Sequence, residues 1–235
     1  EMTHNYKIEF EKFFSYSLSV DCLIFGFEEG EIKLLLIKRN MDPFKGDWAI
    51  PGDLVYPEED LEEAASRILF DLTNIKNIEL HQSQTFGKPD RHPQGRVITC
   101  AYFAMVKIDE VNAIASSWAN EVKWVPIQRI PKLAFDHNEI FNSSLELLRI
   151  KLSNEPICFD LLPDKFTLNE LQQLYEYAYR VNLNKANFRK KIKPIPLIEH
   201  NEKQKNVKHR PAKLFSFDEH KFEKLVNQRN FRFKM

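Results

Sequence analysis

The sequence predicts two domains of different class, an α/β domain followed by a smaller α+β domain. Three observations support this. Strand-like segments alternate with one well-formed helix over the first two thirds of the chain, two short helices and a hairpin follow, and the charge changes sign between the two parts. Residues 151–235 carry 18 Lys and Arg against 10 Asp and Glu, a net charge of +8, so residues 1–150 carry −8. A basic domain joined to an acidic one suggests a polyanionic partner, although a solvated charged surface has the same composition.

The composition is that of a globular protein. With 235 residues, of which 43% are hydrophobic and 12% aromatic, the chain can bury a substantial core. Cys22, Cys100 and Cys158 are odd in number and have no metal-ligand spacing, so we expect buried, reduced thiols and no metal site. No apolar run approaches the roughly 18 residues of a membrane span. We therefore expect a cytoplasmic protein without a membrane partner.

The first two thirds of the chain have the pattern of strands with one helix among them. Residues 1–17 are aromatic and charged and are predicted to form an N-terminal arm that packs on the same chain or on a dimer partner. Residues 139–151 are predicted to be helical, and a break after them places one domain at 18–152 and a second at 153–235. β-Branched and aromatic content predicts strands at 19–27, 32–38, 81–86, 97–108 and 121–125.

Residues 51–75, PGDLVYPEEDLEEAASRILFDLTNI, are predicted to form a loop, a helix and a second loop. Asp60 can cap the N-terminus of the helix, and Glu63 can complete a capping box. Asn74 suits the left-handed conformation that often ends a helix. This helix is the best-defined local element of the first domain.

One face of this helix determines whether the segment can bind metal, because residues spaced i, i+3 and i+4 share a face. The segment resembles the Nudix box, G-x5-E-x7-R-E-U-x-E-E-x-G-U with U bulky and aliphatic, and matches it at Glu59 and Arg67. Ile68 and Leu72 replace two glutamates that hold Mg²⁺ in that family, and Asp71 replaces a third. Since Mg²⁺ needs oxygen ligands, the resemblance implies the Nudix fold without hydrolase activity, metal or cofactor.

Two further segments resemble regulatory relatives of the ADP-ribose-type Nudix proteins. Residues 87–96, GKPDRHPQGR, resemble the loop P-D-R-D-P-R-G, with His92 and Gln94 in place of two charged residues. Residues 133–140, LAFDHNEI, match the segment L-A-F-D-H-x-x-I. Each residue alone could be structural, but three segments in the right order imply the Nudix α/β/α sandwich.

The second domain opens with two helices. The helix at 165–179 has Thr167 as its predicted N-cap, with a glutamate three residues later to close a capping box. After a short turn, Asn184 is predicted to cap a second helix, KANFRKKI. Phe188 and Ile192 lie at i and i+4 on its buried face. This is the layout of an α+β winged helix-turn-helix domain.

The second helix and the segment after it are strongly basic. Strands at 197–200 and 211–217 flank the polar segment 201–210, as in a wing. Between Asn184 and Lys213 the chain has ten Lys and Arg against two acidic residues. The pattern predicts a helix in the major groove of double-stranded DNA and a wing on the phosphates. A basic helix without a nucleic-acid partner and a protein-binding winged helix share this pattern.

With these segments, the chain resembles the Nudix-related transcriptional regulators over residues 18–218. The segments LLPDKFTLNELQQLYE, LNKANFRKKI and HRPAKLFSFD match that family's C-terminal pattern nearly residue for residue. The resemblance implies a homodimeric bacterial repressor or activator whose inactive Nudix-like domain binds a small effector and so controls operator binding. In one branch the effector is ADP-ribose or a related nucleotide, and in another a pentose such as arabinose or xylose. The changes at His92 and Gln94 slightly favour the pentose branch.

Two sets of residues are predicted to carry these functions. Contacts with the DNA operator are predicted for Thr167, Lys185, Asn187, Arg189, Lys190, Lys193, Lys208, Arg210 and Lys213. Arg189 and Asn187 are the best candidates for base contacts, because Arg can bind guanine, and Asn adenine, through two hydrogen bonds. Effector contacts are predicted for Arg39, Trp48, Asp53, Asp90, Arg91, Arg96 and Phe135. Of these, Asp53 stands where the Nudix box has its second glycine.

Two other functions fit parts of the sequence. An active hydrolase of ADP-ribose-type substrates with an accessory C-terminal domain would use Glu59 and Asp71 together with carboxylates from outside the box. A protein-interaction adaptor without a ligand would bind no DNA from the neighbourhood of its own gene.

Overall fold

The structure is a computed structural model that describes residues 16–204, 210–227 and 233–235. Its described residues form two compact units, each built from three stretches of chain. The first unit takes its residues from 1–24, 34–104 and 112–144, and the second takes its residues from 25–33, 105–111 and 145–235. Nearly all of the predicted N-terminal arm, and Lys208 of the predicted wing, lie outside the described residues.

A seven-stranded sheet has the strand order β3-β2-β1-β6-β5, with β4 paired to β1 and β7 paired to β2. Its strands are β1 (Ser17–Glu28), β2 (Glu31–Arg39), β3 (Trp48–Ala49), β4 (Gly52–Leu54), β5 (His81–Phe86), β6 (Val97–Val106) and β7 (Ala119–Pro126). In β1 nine consecutive residues are buried, as expected of a central strand covered on both faces. The predicted strand at 97–108 was two residues too long, because a 3₁₀ turn at Ile108–Glu110 follows β6.

Two long helices accompany the sheet, α1 (Leu61–Thr73) and α2 (His137–Asn154). The predicted ends of α1 are confirmed. Asp60 and Glu63 form both bonds of the capping box, and Asn74 has a φ of 59°. Helix α2 continues to residue 154, past the predicted break at 153, because no residue before Pro156 prevents a helical conformation.

The second unit contains the predicted helix-turn-helix and wing. Its elements are α3 (Cys158–Leu161), α4 (Leu168–Tyr179), α5 (Lys185–Ile192), β8 (Leu197–Lys203), β9 (Lys213–Phe217) and α6 (Glu219–Asn227). Strands β8 and β9 pair antiparallel and form the wing. The Asn184 side chain accepts hydrogen bonds from the first amides of α5, and Phe188 and Ile192 are buried as predicted.

The three cysteines are buried and free, as predicted. Burial raises the pKa of the Cys158 thiol to about 12, so this thiol stays protonated and packs as a small apolar group. In the part of the chain that the structure describes, no helix has both the length and the apolar character needed to cross a membrane.

Candidate effector cavity and nucleic-acid interface

A cavity of about 480 Å³ opens on the first unit, and we call it the first-unit cavity. Its walls come from β1, β4, the loops at 39–43 and 91–97, and residues around 118 and 135. Five predicted effector residues line it: Arg39, Asp53, Arg91, Arg96 and Phe135. Trp48 and Asp90 do not belong to its lining. Trp48 pairs with β2 in the sheet, and Asp90 lies in an exposed turn.

A buried carboxylate, Asp21 of β1, organises one wall of the cavity. Its Oδ2 atom accepts a hydrogen bond from the Thr99 hydroxyl at 2.7 Å and lies 3.6 Å from Arg91 Nη2. Arg91 also donates two hydrogen bonds of 2.8 Å to the carboxylate of Asp136. The Arg91 side chain is only 3% exposed. Its charge is therefore balanced inside the protein, in keeping with a structural role.

His137 completes this network as a neutral ring. Its Nδ1 atom accepts a hydrogen bond of 3.0 Å from the Ile50 amide, which places the ring proton on Nε2. Nε2 lies 3.4 Å from Asp21 Oδ1. Burial lowers the pKa of His137, which favours the neutral ring beside the Asp21 carboxylate.

Arg39 lies between two aromatic rings of the cavity. The centre of its guanidinium group is 4.8 Å from the Trp118 ring and 4.9 Å from the Phe135 ring. Its Nε donates to the Pro43 carbonyl at 2.8 Å, and burial lowers the pKa of Arg39. On Phe135 the ring of His92 stacks with centroids 5.0 Å apart. The cavity thus offers flat aromatic and guanidinium surfaces to a ring-containing ligand.

Arg96 has carbonyl and aromatic partners, like Arg39, but it is more exposed than either of the other two arginines. It donates a hydrogen bond to the Gly87 carbonyl, and its guanidinium centre lies 5.7 Å from the Tyr16 ring. Within the described residues, no carboxylate oxygen lies within 4.0 Å of Arg96. Because Arg39 and Arg91 are buried and Arg96 is half-buried, the positive charge of Arg96 is the most available one in the cavity for an anionic ligand.

Gly52 of β4 is required by the close approach of β1. A Cβ atom at this position would lie 2.0 Å from Asp21 Oδ1 and 2.9 Å from the Val20 carbonyl oxygen. We expect Gly52→Ala to lower the free energy of unfolding of the first unit by about 1–3 kcal/mol, measured by urea denaturation. Gly87→Ala is the matched control, because its Cβ would meet no atom closer than 3.8 Å. Equal midpoints for the two variants would contradict this account of Gly52.

The Nudix-box segment has buried apolar side chains at two positions where the box has glutamates. Ile68 and Leu72 of α1 are 0% and 1% exposed and belong to the core. Glu59 forms a two-pronged ion pair with Arg67, which lowers the pKa of Glu59, and Asp71 lies 3.7 Å from the same arginine. No cluster of three or more potential ligands occurs among the described residues. The donor set present here therefore does not fit Mg²⁺.

A concave surface of the second unit, which we call the basic groove, carries cations from the second helix and from the wing. Its basic residues are Lys185, Arg189, Lys203, Arg210 and Lys213. All of them are exposed. Lys203 was not predicted to contact DNA, although it lies on the wing. The depression has a volume of about 1190 Å³ and also includes the carboxylates of Glu28, Glu29 and Asp109.

Helix α5 directs its polar residues to different sides. At about 100° per residue, Arg189 and Asn187 point some 160° apart, on opposite flanks of the buried face. Arg189 faces the basic groove, whereas Asn187 lines a smaller depression beside Lys191. Lys190 and Lys193 are exposed between these flanks. Direct base contacts by both Arg189 and Asn187 stay a prediction, and the geometry favours Arg189 for a site shared with the wing.

The predicted capping role of Thr167 is confirmed. Its side chain is 3% exposed and forms the capping box of α4 with Glu170, with bonds of 2.6 to 3.1 Å. A hydroxyl that is buried and already bonded is a poor contact for DNA, so the geometry favours a stabilising role for Thr167 at the start of the helix, and its contact with DNA stays a prediction.

Comparison with known protein families finds one matching family in each part of the chain. The NUDIX domain family matches residues 15–143, and the NrtR DNA-binding winged helix domain family matches residues 158–217. The ADPR responsive transcriptional repressor NtrR of Acinetobacter baylyi is 32% identical over 204 residues, which are 85% of this chain and 81% of that protein. This chain belongs to the Nudix-related transcriptional regulators. The predicted Nudix fold and winged helix-turn-helix are thereby confirmed, as is the prediction of a DNA-binding transcriptional regulator.

Other relatives of this regulator include a protein crystallised with DNA and with ADP ribose, and an ADP-ribose pyrophosphatase. The crystal structure of Shewanella oneidensis NrtR with a 27mer DNA superposes with a TM-score of 0.69 at 27% identity, covering 92% of this chain and 97% of that one. The NUDIX domain of the same protein with ADP ribose superposes with a TM-score of 0.53 at 29% identity, covering 57% and 89%. The ADP-ribose pyrophosphatase of Methanocaldococcus jannaschii is 36% identical over 115 residues, 49% of this chain and 67% of that protein.

Proposed function

We propose that this regulator binds ADP-ribose in the first-unit cavity without cleaving it, and that the bound effector changes the affinity of the winged helix for operator DNA. The observation that carries this proposal is the combination of an apolar α1 face with an available arginine in the cavity. Ile68 and Leu72 are buried where a hydrolase carries carboxylates, so a bound pyrophosphate has no metal site to activate it. The predicted homodimer belongs to this proposal as an expectation.

The cavity suits ADP-ribose in size and chemistry. A volume of about 480 Å³ lies within the roughly 300–1,000 Å³ typical of sites for drug-sized ligands. Arg96 can pair with a phosphate, and the rings of Trp118 and Phe135 can pack against adenine. The names of the Acinetobacter and Shewanella relatives point to the same ligand.

A free pentose is the second candidate, because two of the three arginines of the cavity are buried and bonded within the protein. Arg91 is paired with Asp136, and Arg39 donates to a loop carbonyl. Such paired groups offer hydrogen bonds to hydroxyls but attract a doubly charged pyrophosphate less strongly. This observation favours arabinose or xylose independently of the loop at His92 and Gln94.

Thermal unfolding with each ligand tests the proposal. A ligand present at 100 times its Kd and bound only by the folded state stabilises that state by about 2.7 kcal/mol. We expect ADP-ribose to raise the unfolding temperature, and to change the affinity for DNA from the regulator's own promoter in a fluorescence anisotropy titration. A response to a pentose alone would transfer the effector role to the second candidate. If a ligand stabilises the protein without changing its affinity for DNA, the proposal that the effector controls operator binding is contradicted.

Incubation with ADP-ribose and Mg²⁺ tests the absence of hydrolysis. We expect no AMP or ribose 5-phosphate when the reaction is followed by chromatography. Turnover that is abolished by Asp71→Ala would instead favour an active hydrolase, as in the Methanocaldococcus relative.

A further inference from the structure

Asp53 holds a fixed carboxylate on the wall of the first-unit cavity. Its Oδ1 accepts a hydrogen bond of 2.7 Å from the Leu54 amide, and its Oδ2 accepts one of 3.1 Å from Trp118 Nε1. The backbone beneath it is fixed as well, because Val20 of β1 is its partner in the pairing with β4. The carboxylate is thus oriented by two donors on two different chain segments, while the residue itself stays exposed to the cavity.

The negative charge of Asp53 is not consumed by a cation. Within the described residues, no Lys, Arg or His nitrogen lies within 4.0 Å of its oxygens, whereas Asp21 and Asp136 both have an arginine at that range. An ionised carboxylate can accept about four hydrogen bonds, and two are used. Roughly two acceptor positions on adjacent oxygens therefore remain for a ligand.

We propose that Asp53, oriented by Trp118, accepts hydrogen bonds from two neighbouring hydroxyls of a five-carbon sugar and so selects ligands that carry this group. The inference rests on the proposed effector function of the cavity. It specifies the part of the effector that hydrogen-bonds to Asp53. The same vicinal diol occurs on the terminal ribose of ADP-ribose and on a free pentose, so either source provides the recognised group.

The chemistry of the site favours hydroxyls over phosphate at this position. A carboxylate that has no cation within 4.0 Å, although its charge acts on Arg39, repels a phosphate but pairs well with O–H donors, and hydrogen bonds to charged groups are stronger than neutral ones. The Nudix box has a glycine where this chain has Asp53, so the carboxylate is an addition to the scaffold. Trp118 contributes in two ways, because its N–H orients Asp53 while its ring contacts Arg39.

Isothermal titration calorimetry with variants of Asp53 tests this inference. In the nucleotide experiment, ADP-ribose is compared with ADP, which keeps the vicinal diol of its adenosine ribose but lacks that of the terminal ribose. In the sugar experiment, ribose, arabinose and xylose are compared with 2-deoxyribose, which lacks the C2 hydroxyl and therefore the vicinal pair at C2 and C3. We expect Asp53→Asn and Asp53→Gly to weaken binding of the hydroxyl-bearing ligand by about 10- to 100-fold, and to leave the affinity for ADP or deoxyribose within about threefold. Trp118→Phe keeps a ring but removes the N–H, and we expect a smaller loss of the same selectivity.

The outcomes separate this inference from the proposed function. If the Asp53 variants lose the preference for ADP-ribose over ADP, Asp53 binds the terminal ribose. If they lose the preference for a pentose over 2-deoxyribose, Asp53 binds a free pentose. If the wild-type protein binds ADP-ribose or a pentose but the Asp53 variants keep its selectivity, the inference is overturned and the proposed function stands. If the wild-type protein binds neither class of ligand, both are overturned. DNA affinity without effector should be unchanged in all variants, which shows that they are folded.

Discussion

Arg91→Ala is expected to lower the free energy of unfolding of the first unit by about 3–5 kcal/mol, the usual cost of removing one partner from a buried ion pair. The substitution leaves Asp21, whose side chain is 6% exposed, without its arginine partner, and it leaves Asp136 without both of its hydrogen bonds from Arg91. Thr99 still donates a hydrogen bond to Asp21, and His137 lies 3.4 Å from it, but neither replaces the guanidinium charge. The cost is therefore that of an uncompensated carboxylate inside the protein.

Urea denaturation followed by tryptophan fluorescence measures this effect in the first unit. All three tryptophans of the chain, Trp48, Trp118 and Trp124, belong to that unit, so unfolding of the winged helix does not contribute directly. Arg91→Lys provides a second variant that keeps the charge but loses the two-pronged geometry, and we expect an intermediate loss of stability.

Arg96→Ala is the matched control, because Arg96 lines the same cavity and has no carboxylate partner among the described residues. We expect its stability to change by no more than about 0.5 kcal/mol, while its affinity for ADP-ribose falls. Equal destabilisation by the two alanine variants would contradict the division into one structural and one ligand-binding arginine.

Much of the fold could be predicted because its signals are local. The capping residues Asp60 and Asn184 identify the starts of α1 and α5, and both caps are present in the structure. The i, i+4 spacing of Phe188 and Ile192 in α5 is another local signal, and both side chains are buried as it predicts. Such signals depend on residues within one or two helical turns of each other.

The composition of the cavity was harder to predict because it depends on distant segments. Trp118 was not predicted, yet it meets Arg39 and Asp53 from positions 65 or more residues away. Asp21 and His137 were also missed. For Asp21 a signal existed, since an acidic residue inside the apolar strand SVDCLIF must find buried partners. The identity of those partners, Arg91 and Thr99, could come only from the tertiary structure.

Arg189→Ala is expected to weaken binding to the operator by about 1–3 kcal/mol, which is roughly 5- to 150-fold in Kd. Arg189 is exposed on α5 and faces the basic groove together with Lys185 and the wing cations. In that position its planar group can form two hydrogen bonds with guanine in the major groove. Removal should therefore reduce both affinity and the preference for one base, measured by anisotropy competition with operators that carry single-base changes.

Two further substitutions separate a base contact from a phosphate contact at this helix. Arg189→Lys keeps the positive charge but cannot form the two-pronged bond, so we expect it to lose base preference while keeping most of the salt dependence of binding. Lys191→Ala removes the same unit of charge from the opposite flank of α5, beside Asn187. We expect it to weaken binding to all sequences equally and to leave the base preference intact, because a lysine that acts through charge does not distinguish bases. If Arg189→Lys retained the full base preference, Arg189 would be a phosphate contact. The base contacts would then come from the other flank of α5, where Asn187 can form two hydrogen bonds with adenine.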